Sequence, residues 1–402
     1  MLSVDDYRGR VLEGIAPLSP IDLPLSTVDG CVLAAPVRST VSLPAFDNSS
    51  MDGYAVLAAD LRSASADAPV DLRVIDDVAA GSVSQVMVTR GTAVRIMTGA
   101  PMPDGADAVI PVERTDGGTR TVQIYAGVDV GACIRRTGED VEAGQEVLEA
   151  GVELRSRQLA LLAATGHGIV RVHPQPRVAV IATGSELVEP GDPLGPGQIH
   201  DANSFLLVAA AREAGALAYR VGPIVDDDDA FVTAVEDQFH RCDLILTSGG
   251  VSMGAYDTVK AVLSRLGTVQ FAKVAMQPGM PQGFGRVGDG IPILTLPGNP
   301  VSSYVSFEAF VRPVIRRLRG LADLDRPLVT ATLEEDLTSP GGKRQFARAR
   351  FIAPGRLSLT GTGQGSHVLG GLGQADALLV IPEDVTHVAA GSSVQAWDLR
   401  LS

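Results

Sequence analysis

Hydrophobic and polar positions follow two different patterns along the chain. Between about residues 176 and 320, continuous apolar runs alternate with segments whose apolar residues recur at helical spacing. The run 177–183 (RVAVIAT) is typical of a buried strand, and 203–214 is typical of an amphipathic helix capped by Asn203. Strands that alternate with helices of this length predict a doubly wound parallel sheet.

The same reasoning predicts the other elements of this α/β region. The four aspartates 226–229 open a helix, and the basic turn 316–319 ends the last helix. The apolar pattern predicts four more strands, at 218–225, 243–247, 269–275 and 291–296, and two more helices, at 258–266 and 301–318.

The two flanks of the α/β region have shorter apolar runs. Residues 27–175 and 326–402 contain brief alternating segments, such as 86–92 and 121–125, divided by glycine-rich and proline-rich turns. This pattern predicts small β domains or barrels, with 323–327 as the linker into the last domain.

Composition narrows the class of protein. At about 150 residues per domain, the 402 residues suggest roughly two to four domains. The formal net charge of −14 argues against nucleic-acid binding, and no apolar run approaches the ~18 residues that span a bilayer. The first residues lack the basic start and apolar stretch of a signal peptide. Cys31, Cys133 and Cys242 form no CxxC pair, so we expect a cytoplasmic protein without disulfides or a zinc ribbon.

Candidate chemistry follows the predicted strands. In an open parallel sheet, ligands bind beyond the carboxyl ends of the strands, so the loops after the strands should converge on one crevice. These loops consist mainly of small, polar or acidic residues; they are 183–186 (TGSE), 226–229 (DDDD), 247–252 (TSGGVS), 276–279 (MQPG) and 296–302 (LPGNPVS).

Two of these loops are suited to an oxyanion. Ser248, Gly249 and Gly250 let backbone N–H groups approach a charged oxygen. Asn299 precedes a predicted helix whose first turn contains Ser302, so a helix N-terminus should lie beside the same place. The phosphate-binding pattern GxxxxGK[ST] is absent, which disfavours ordinary ATPase chemistry.

Three carboxylates accompany the predicted crevice. Glu186, Asp226 and Asp257 supply acidic oxygen donors, which suit Mg²⁺, a cation that bridges substrate phosphates. Asp226 and Asp257 are equally suited to cap the helices that follow them. The six histidines are scattered and form neither HxxxH nor HExxH, and the sequence offers no Ser-His-Asp arrangement.

A second group of polar motifs lies in the N-terminal half. The motifs are 44–56 (PAFDNSSMDGYAV), 97–101 (MTGAP) and 135–141 (RRTGEDV). Composition alone identifies these segments as glycine-containing turns.

The chain resembles the molybdopterin molybdenumtransferases, the family that includes the gephyrin E domain, over its whole length. The resemblance is carried by an ordered set of motifs: FDNSSMDGYAV, IMTGAPMP, TGED, ATGSELVEPG, GQIHDAN, SGGVSMGAYD and LPGNPVSS. It implies the final step of molybdenum cofactor synthesis. Adenylylated molybdopterin and molybdate would react in the presence of a divalent cation, usually Mg²⁺, to give the molybdenum cofactor and AMP.

The resemblance also implies a homodimer, with the active site between the α/β domain of one subunit and the inserted domain of the other. Each subunit would have four domains: an elongated discontinuous domain at 1–26 and 138–175, an inserted β-rich domain at 27–137, the α/β molybdopterin-binding domain at 176–325, and a C-terminal β-barrel at 326–402. The molybdopterin adenylyltransferase is a further partner that we expect, and nucleic acid and membrane are not.

Site residues are implied at the positions that match the family's motifs. The implied catalytic residues are Asp52, Thr98, Asp140, Glu186 and Asp257. The implied metal ligands are Glu186, Asp226 and Asp257. The implied substrate-binding residues are Arg135, Ser248, Gly249, Gly250, Ser252, Lys273, Gln277, Asn299, Ser302, Arg348 and Ser366, the last two from barrel segments that approach the cleft.

One position departs from the family pattern. Many relatives have KPGKP or KPGLP where this chain has 277–281 (QPGMP), so Gln277 replaces a lysine. Molybdate is a dianion, and the loss of a lysine weakens its attraction, although an amide still donates hydrogen bonds. We expect the anion to depend on Lys273, Arg348 and backbone amides, and we expect Gln277→Lys to tighten molybdate binding.

Three other functions remain open at the level of sequence. The adenylyltransferase that makes the substrate shares only the α/β domain, so the long β flanks argue against it. A non-catalytic, gephyrin-like scaffold would bind a partner instead of catalysing a reaction. A paralogue that inserts tungstate is indistinguishable by sequence, because the two oxyanions have nearly the same size and charge.

Overall fold

The computed structural model describes residues 1–225, 227–249, 262–263 and 265–401. Four predicted site residues, Asp226, Gly250, Ser252 and Asp257, lie outside these residues, as does most of the helix predicted at 258–266. Within the described part of the chain, no helix combines the length and the apolar composition needed to cross a membrane.

A six-stranded sheet forms the centre of the α/β region. Its strands, in spatial order, are Leu217–Ile224, Arg177–Thr183, Leu244–Ser248, Ile291–Leu296, Pro281–Val287 and Gln270–Lys273. The first four strands are parallel, and Pro281–Val287 runs antiparallel to both of its neighbours. The predicted α/β architecture is confirmed, with an antiparallel strand added toward one edge.

The sequence pattern misses the strand Pro281–Val287 because it contains proline and glycine, which are poor strand formers. The packing requires the glycines. A Cβ on Gly283 would lie 2.0 Å from Thr295 Oγ1, and a Cβ on Gly285 would lie 2.4 Å from the Cα of Val269. The neighbouring segments therefore approach too closely for a side chain at either position.

Helices cover both faces of this sheet. Within Arg177–Thr183, Val178 and Val180 face one hydrophobic cluster, whereas Ala179 and Ile181 face a second cluster on the opposite side, which explains the continuous apolar run. The described helices of this region are Asn203–Glu213, Asp228–Glu236, Pro300–Ser306 and Arg312–Leu318, the last two joined by a π-helical segment, Phe307–Val311.

The first of these helices begins differently from the prediction, and the second begins as predicted. The residue before Asn203–Glu213 is Ala202, so Asn203 is not the cap, and its side chain donates hydrogen bonds to two loops of the site instead. Asp227 caps the next helix, because its side chain accepts a hydrogen bond from the Ala230 N–H at 2.8 Å. The expected helix start among the four aspartates is confirmed.

The N-terminal half is built from small sheets. Its largest sheet has five strands, which in spatial order are Ala108–Pro111, Gly53–Val56, Thr92–Ile96, Val70–Val78 and Thr121–Ile124. The prediction of a strand at 86–92 is wrong. That segment is irregular and ends in a turn in which the Thr92 N–H donates to the Thr89 carbonyl, so the strand begins only at Thr92.

Three smaller sheets accompany this one. They pair Ile21–Pro24 and Val32–Leu33 with Ile169–His173, Val37–Arg38 with Glu146–Leu148, and Asn48–Ser49 with Ile134–Arg135. These pairings associate residues 32–38 with residues 146–173, rather than with the insertion that we place at 27–137. The domain limits themselves stay a prediction.

Two helices of the N-terminal half have different neighbours. Ser156–Ala164 contributes Leu162 to the cluster around Ile169–His173. Val4–Leu12 packs on the α/β region, where the rings of Tyr7 and Phe310 meet edge to face with their centroids 4.8 Å apart.

The C-terminal region is a closed β-barrel, as expected. Its strands, in order around the barrel, are Arg344–Ala353, Arg356–Leu359, Leu328–Leu333, Ser393–Asp398 and Ala377–Ile381, and the last pairs again with the first. Met276–Gln277, a short strand of the α/β region, runs parallel to the start of Arg344–Ala353. This pairing holds the barrel against the carboxyl edge of the six-stranded sheet. Also present are the strand pairs Leu187–Val188 with Ile199–His200 and Leu337–Thr338 with His387–Val388, and the short helix Leu369–Leu372.

Candidate functional site

A cleft of about 570 Å³ opens at the carboxyl edge of the six-stranded sheet, where the sheet meets the barrel. Its walls are the loops that follow four strands of the sheet, together with segments of the barrel. The described lining residues are Thr183, Gly184, Glu186, Ile199, Gly249, Met276, Gln277, Pro278, Gly279, Met280, Pro281, Pro297, Gly298, Asn299, Ser302, Lys343, Gln364 and Ser366. The structure thus brings these loops to one place, while the roles of individual residues stay predictions.

Glu186 supplies the carboxylate of the first loop. Gly184 adopts a φ of 153°, and a Cβ there would lie 2.7 Å from both carboxylate oxygens of Glu186. The backbone conformation favours glycine at this position, because L side chains rarely adopt this φ, and the carboxylate of Glu186 folds back over the same backbone. The backbone is fixed on the other side, where the Ile199 N–H donates to the Glu186 carbonyl at 2.9 Å.

Asn203 connects two loops of the site. Its Nδ2 donates to Ser248 Oγ at 2.7 Å and to the Gly298 carbonyl at 2.6 Å, and its buried Oδ1 has no hydrogen-bond partner among the described residues. Ser248 is only 2% exposed and lines a recess of about 140 Å³ that shares Glu186 and Gly249 with the cleft. Sequence reasoning assigns Asn203 to a helix cap and misses this bridge, because the two acceptors are remote in sequence.

Gly249 lies where the Leu244–Ser248 strand meets the cleft. Its φ of 98° belongs to the left-handed region, and a Cβ there would lie 2.5 Å from the Thr183 carbonyl oxygen. Both features exclude a side chain. The loop therefore lines the cleft with backbone that carries no side chain, while the Gly249 N–H itself donates to the Leu296 carbonyl at 3.3 Å.

Hydroxyl and amide groups of three other segments line the cleft. Asn299 Nδ2 donates to Ser366 Oγ at 2.9 Å, and the Val301 N–H donates to the Ser366 carbonyl at 3.3 Å, so the sheet loop and the barrel are bonded directly. Ser302 is 4% exposed and faces the same space as the half-buried Gln277. These groups donate hydrogen bonds and carry no charge.

The structure does not bring two predicted anion-binding residues to the surface of the cleft. Arg348 is only 1% exposed and donates to the carbonyls of Val368 and Gly363 at 2.7 and 2.6 Å, and burial lowers the pKa of its guanidinium. Lys273 is exposed at the end of its strand and is not among the described lining residues. Their roles in substrate binding stay predictions.

Sequence reasoning also misses Lys343, which does line the cleft. It follows two glycines, Gly341 and Gly342, at the turn before the long barrel strand Arg344–Ala353. The glycine pair signals a turn, but nothing in the sequence indicates which domain the turn faces.

The predicted residues of the N-terminal half form a separate surface. Asp52 Oδ1 accepts hydrogen bonds from the Thr98 N–H at 2.7 Å and from the Thr98 hydroxyl at 2.8 Å, and these bonds lower the pKa of the Asp52 carboxyl. The pairing of Gly53 with Ile96 places the two residues at adjacent strand ends. Both side chains are exposed, and we call this pair the Asp52–Thr98 surface.

Neighbouring loops are fixed by an aspartate that sequence reasoning omits from the site. Asp47 accepts hydrogen bonds from the Thr137 N–H, the Thr137 hydroxyl and the Arg136 guanidinium at 2.8, 3.0 and 2.7 Å, which lowers the pKa of Asp47. Arg135 and Asp140 flank this contact and are exposed. Asp47 belongs to the same motif as Asp52. The high content of polar residues in that motif is the sequence feature that could have identified Asp47.

Only Glu186 of the three predicted metal ligands can be placed. Among the described residues, no three His, Cys, Asp or Glu side chains are grouped as a metal site. Asp226 and Asp257 lie outside those residues, so the set as a whole stays a prediction. The exposed Glu186 carboxylate at the cleft is an oxygen donor of the kind that Mg²⁺ prefers.

Three family descriptions match successive parts of the chain. They are the MoeA N-terminal region (domain I and II) at residues 2–166, a probable molybdopterin binding domain at 179–317, and the MoeA C-terminal region (domain IV) at 330–399. Together they account for both β flanks as well as the α/β region.

Relatives match over nearly the whole length. Molybdopterin molybdenumtransferase 2 of Mycobacterium tuberculosis is 48% identical over 405 residues, which cover 99% of this chain and 100% of the relative. The molybdopterin molybdenumtransferase of Haemophilus influenzae is 36% identical over 402 residues, which cover 98% of each. The crystal structure of a molybdopterin biosynthesis MoeA protein from Pyrococcus horikoshii superposes with a TM-score of 0.83 at 31% identity, covering 99% of each chain.

Proposed function

Because the chain belongs to the molybdopterin molybdenumtransferase family of molybdenum cofactor biosynthesis, we propose that it transfers molybdenum from molybdate to adenylylated molybdopterin and releases AMP. As a member of this family it is a transferase that acts on molybdopterin. The finer proposal rests on one observation. The cleft combines bare backbone at Gly249, hydrogen-bond donors at Gln277 and Ser302, and the Glu186 carboxylate.

Each group of the cleft has a role in this proposal. The amide and hydroxyl donors of Gln277 and Ser302 suit the phosphate of the pterin and the oxygens of molybdate, both of which are oxyanions, and the missing side chain at Gly249 leaves room for them. Asn203 holds the loops of Ser248 and Gly298 in register, so the donors are positioned before the substrate arrives. Glu186 is the carboxylate that we expect to act at the phosphoanhydride.

Mg²⁺ is the cofactor that we propose for this reaction. Glu186 would hold it together with Asp226 and Asp257, and its oxygen donor fits the ion. When bound, the ion neutralises negative charge on the phosphate groups of the substrate.

We also propose that two copies of the chain form the site together. The Asp52–Thr98 surface is not part of the described lining of the cleft, and two large apolar side chains beside it are exposed, Phe46 at 47% and Met51 at 38%. A homodimer in which this surface faces the cleft of the other subunit would cover them. The adenylyltransferase as a partner is a further proposal, as is a cytoplasmic location, which the free thiols of all three cysteines support.

The reaction can be tested with purified protein, adenylylated molybdopterin and Mg²⁺, with molybdate and tungstate titrated in parallel. We expect AMP release that depends on the oxyanion, together with a product that activates a molybdenum enzyme lacking its cofactor. Tungstate used in preference to molybdate would favour the tungstate alternative. Absence of AMP release with either oxyanion would contradict the proposal.

The carboxylates can be tested in the same assay. Glu186→Gln and Asp52→Asn should still bind molybdopterin but lower the rate of AMP release by about a hundredfold or more. Glu149→Gln, an exposed carboxylate outside both regions, is the matched control and should keep the full rate. Full AMP release by both site variants would remove the carboxylates from the mechanism.

A further inference from the structure

The described lining of the cleft carries few charges. Among its described lining residues, Lys343 is the sole cation and Glu186 the sole anion. A tetrahedral dianion that leaves water for such a cleft needs a compensating positive charge, because neutral donors replace its hydration only in part. In this chain Gln277 and Met280 are neutral. Another residue must therefore supply the positive charge.

The cations nearest to Lys343 in sequence are already engaged. Arg344 donates to both carboxylate oxygens of Asp5 at 2.8 Å and lies 3.1 Å from a carboxylate oxygen of Glu383. Arg348 is buried and bonded to the carbonyls of a barrel loop. The charge of Arg344 is thus balanced by two carboxylates, and the guanidinium of Arg348 is turned to buried carbonyls and is not among the described residues that line the cleft.

Lys343 differs from both arginines. Its side chain is half-buried, and within the described part of the chain it has no hydrogen-bond or ion-pair partner. A lysine that lines a cleft and forms no ion pair with a carboxylate has a charge still available for a ligand. The contrast between three cations within six residues is what singles out Lys343.

Lys343 and Arg344 lie where a turn meets the barrel strand Arg344–Ala353, and they face different ways. Met276 pairs with Arg344 and Gln277 with Gln345, so the start of the barrel strand lies against the loop that carries Gln277. Lys343 is the last residue of the turn before this strand, and Arg344 is the first residue of the strand. Arg344 turns toward Asp5 and Glu383, and Lys343 turns toward the cleft.

We propose that Lys343 is the residue that binds the tetrahedral oxyanion in this cleft by its charge, and that it compensates for the neutral Gln277. The inference rests on the proposed function, because it assigns a further substrate-binding residue to the same reaction. It replaces the expectation that Lys273 and Arg348 supply this charge. The oxyanion is either molybdate or the phosphate of the pterin, which share charge and shape.

Titration calorimetry on the full-length protein tests this directly, with sodium molybdate and inorganic phosphate as separate probes. Lys343→Gln should raise the Kd of at least one of them roughly tenfold at low salt, because one full charge is lost beside a dianion. Lys343→Arg should stay near the wild-type value. Arg350→Gln removes an exposed charge from the same strand outside the described cleft lining and should change neither Kd.

The dependence of Kd on salt concentration distinguishes the loss of a charge from a structural defect. The wild-type Kd should rise with ionic strength more steeply than that of Lys343→Gln, whereas a purely structural defect would leave the slope unchanged. Gln277→Lys in the Lys343→Gln background should recover affinity, because it returns a cation to the neighbouring loop. Thermal unfolding of each variant checks that the fold is intact.

Unchanged Kd values for both probes in a folded Lys343→Gln variant would overturn the inference and leave the proposed function untouched. Weaker binding of molybdate alone, or of phosphate alone, supports the inference and identifies which oxyanion Lys343 serves. Failure of the wild-type protein to release AMP would instead contradict the proposed function, while the binding data would still decide on Lys343.

Discussion

The cleft of the α/β region and the Asp52–Thr98 surface contain similar chemical groups in opposite surroundings. In the cleft, Glu186 and Ser302 face a space of about 570 Å³ that is enclosed by the sheet loops and the barrel of one chain. Asp52 and Thr98 instead bond to each other on an exposed surface. The first region is a ligand-sized concavity, and the second is a polar surface without a facing wall in the described chain. The homodimer that we propose would explain this difference, because a surface of the other subunit would then face Asp52 and Thr98.

The largest expected effect tests whether the two regions act together across a subunit interface. Asp52→Asn and Glu186→Gln should each lower activity by about a hundredfold or more when present alone. Heterodimers of the two variants contain one site with both native carboxylates, so an equal mixture of exchanging subunits should regain about a quarter of wild-type molybdenum insertion. The measurement is cofactor formation after co-refolding. A mixture that stays inactive would show that the two carboxylates do not meet across an interface.

The next effect is on stability, and it concerns the barrel segments that line the cleft. Arg348→Met removes a buried guanidinium and leaves the carbonyls of Val368 and Gly363 without donors, so the free energy of unfolding should fall by about 3 kcal/mol. The exposed control Arg350→Met, on the same strand, should change it by about 0.5 kcal/mol or less. Urea denaturation measures both. Equal stability of the two variants would mean that Arg348 does not hold this wall.

A smaller effect is expected at the backbone of the cleft. Gly249→Ala places a Cβ 2.5 Å from the Thr183 carbonyl at a φ of 98°, which should cost about 1 to 3 kcal/mol of folding free energy. Gly222→Ala is the control, because its Cβ would meet no heavy atom within 4 Å. Chemical denaturation of both variants gives the comparison. No difference between them would argue against a strained, close-packed Gly249 loop.

The smallest effect is the titration of the Asp52–Thr98 surface. Hydrogen bonds from Thr98 depress the pKa of Asp52 in the folded protein, the backbone N–H contributing more than the hydroxyl. A depressed carboxyl pKa stabilises the fold above the unfolded pKa, and this contribution is lost as the pH falls through the folded pKa. Thr98→Val keeps the N–H, so the Asp52 pKa should rise only part of the way toward its ordinary value.

Carboxyl-detected NMR follows this titration without measuring activity. Thr137→Val removes a hydroxyl from Asp47 instead and should leave the titration of Asp52 unchanged. An Asp52 pKa that does not move in Thr98→Val would show that the hydroxyl contributes nothing.

Strands that are buried on both faces could be predicted residue by residue. Arg177–Thr183 and Ile291–Leu296 have the predicted bounds, because a continuous apolar run has no alternative to burial between two helical layers. Pro281–Val287 could not be predicted. Its glycines are needed only because Thr295 and Val269 approach its backbone, and such contacts between separate segments leave no local pattern.

The site was predictable to the level of loops. The positions of Glu186, Gly249 and Ser302 after strand ends follow from the chain order, since parallel strands end at one edge. The bridge that Asn203 makes to Ser248 and Gly298 did not follow, because a helix cap is the local alternative and local evidence favours it.

The sequence by itself determined the α/β and β architecture and the loops that converge on the cleft, because burial of apolar runs and strand direction are local and repetitive properties. Only the tertiary structure decided which cation faces the ligand. Lys343, Arg344 and Arg348 lie within six residues of one another and are chemically alike. Asp5 from the far end of the chain and the carbonyls of a barrel loop occupy the two arginines and leave Lys343 in the cleft.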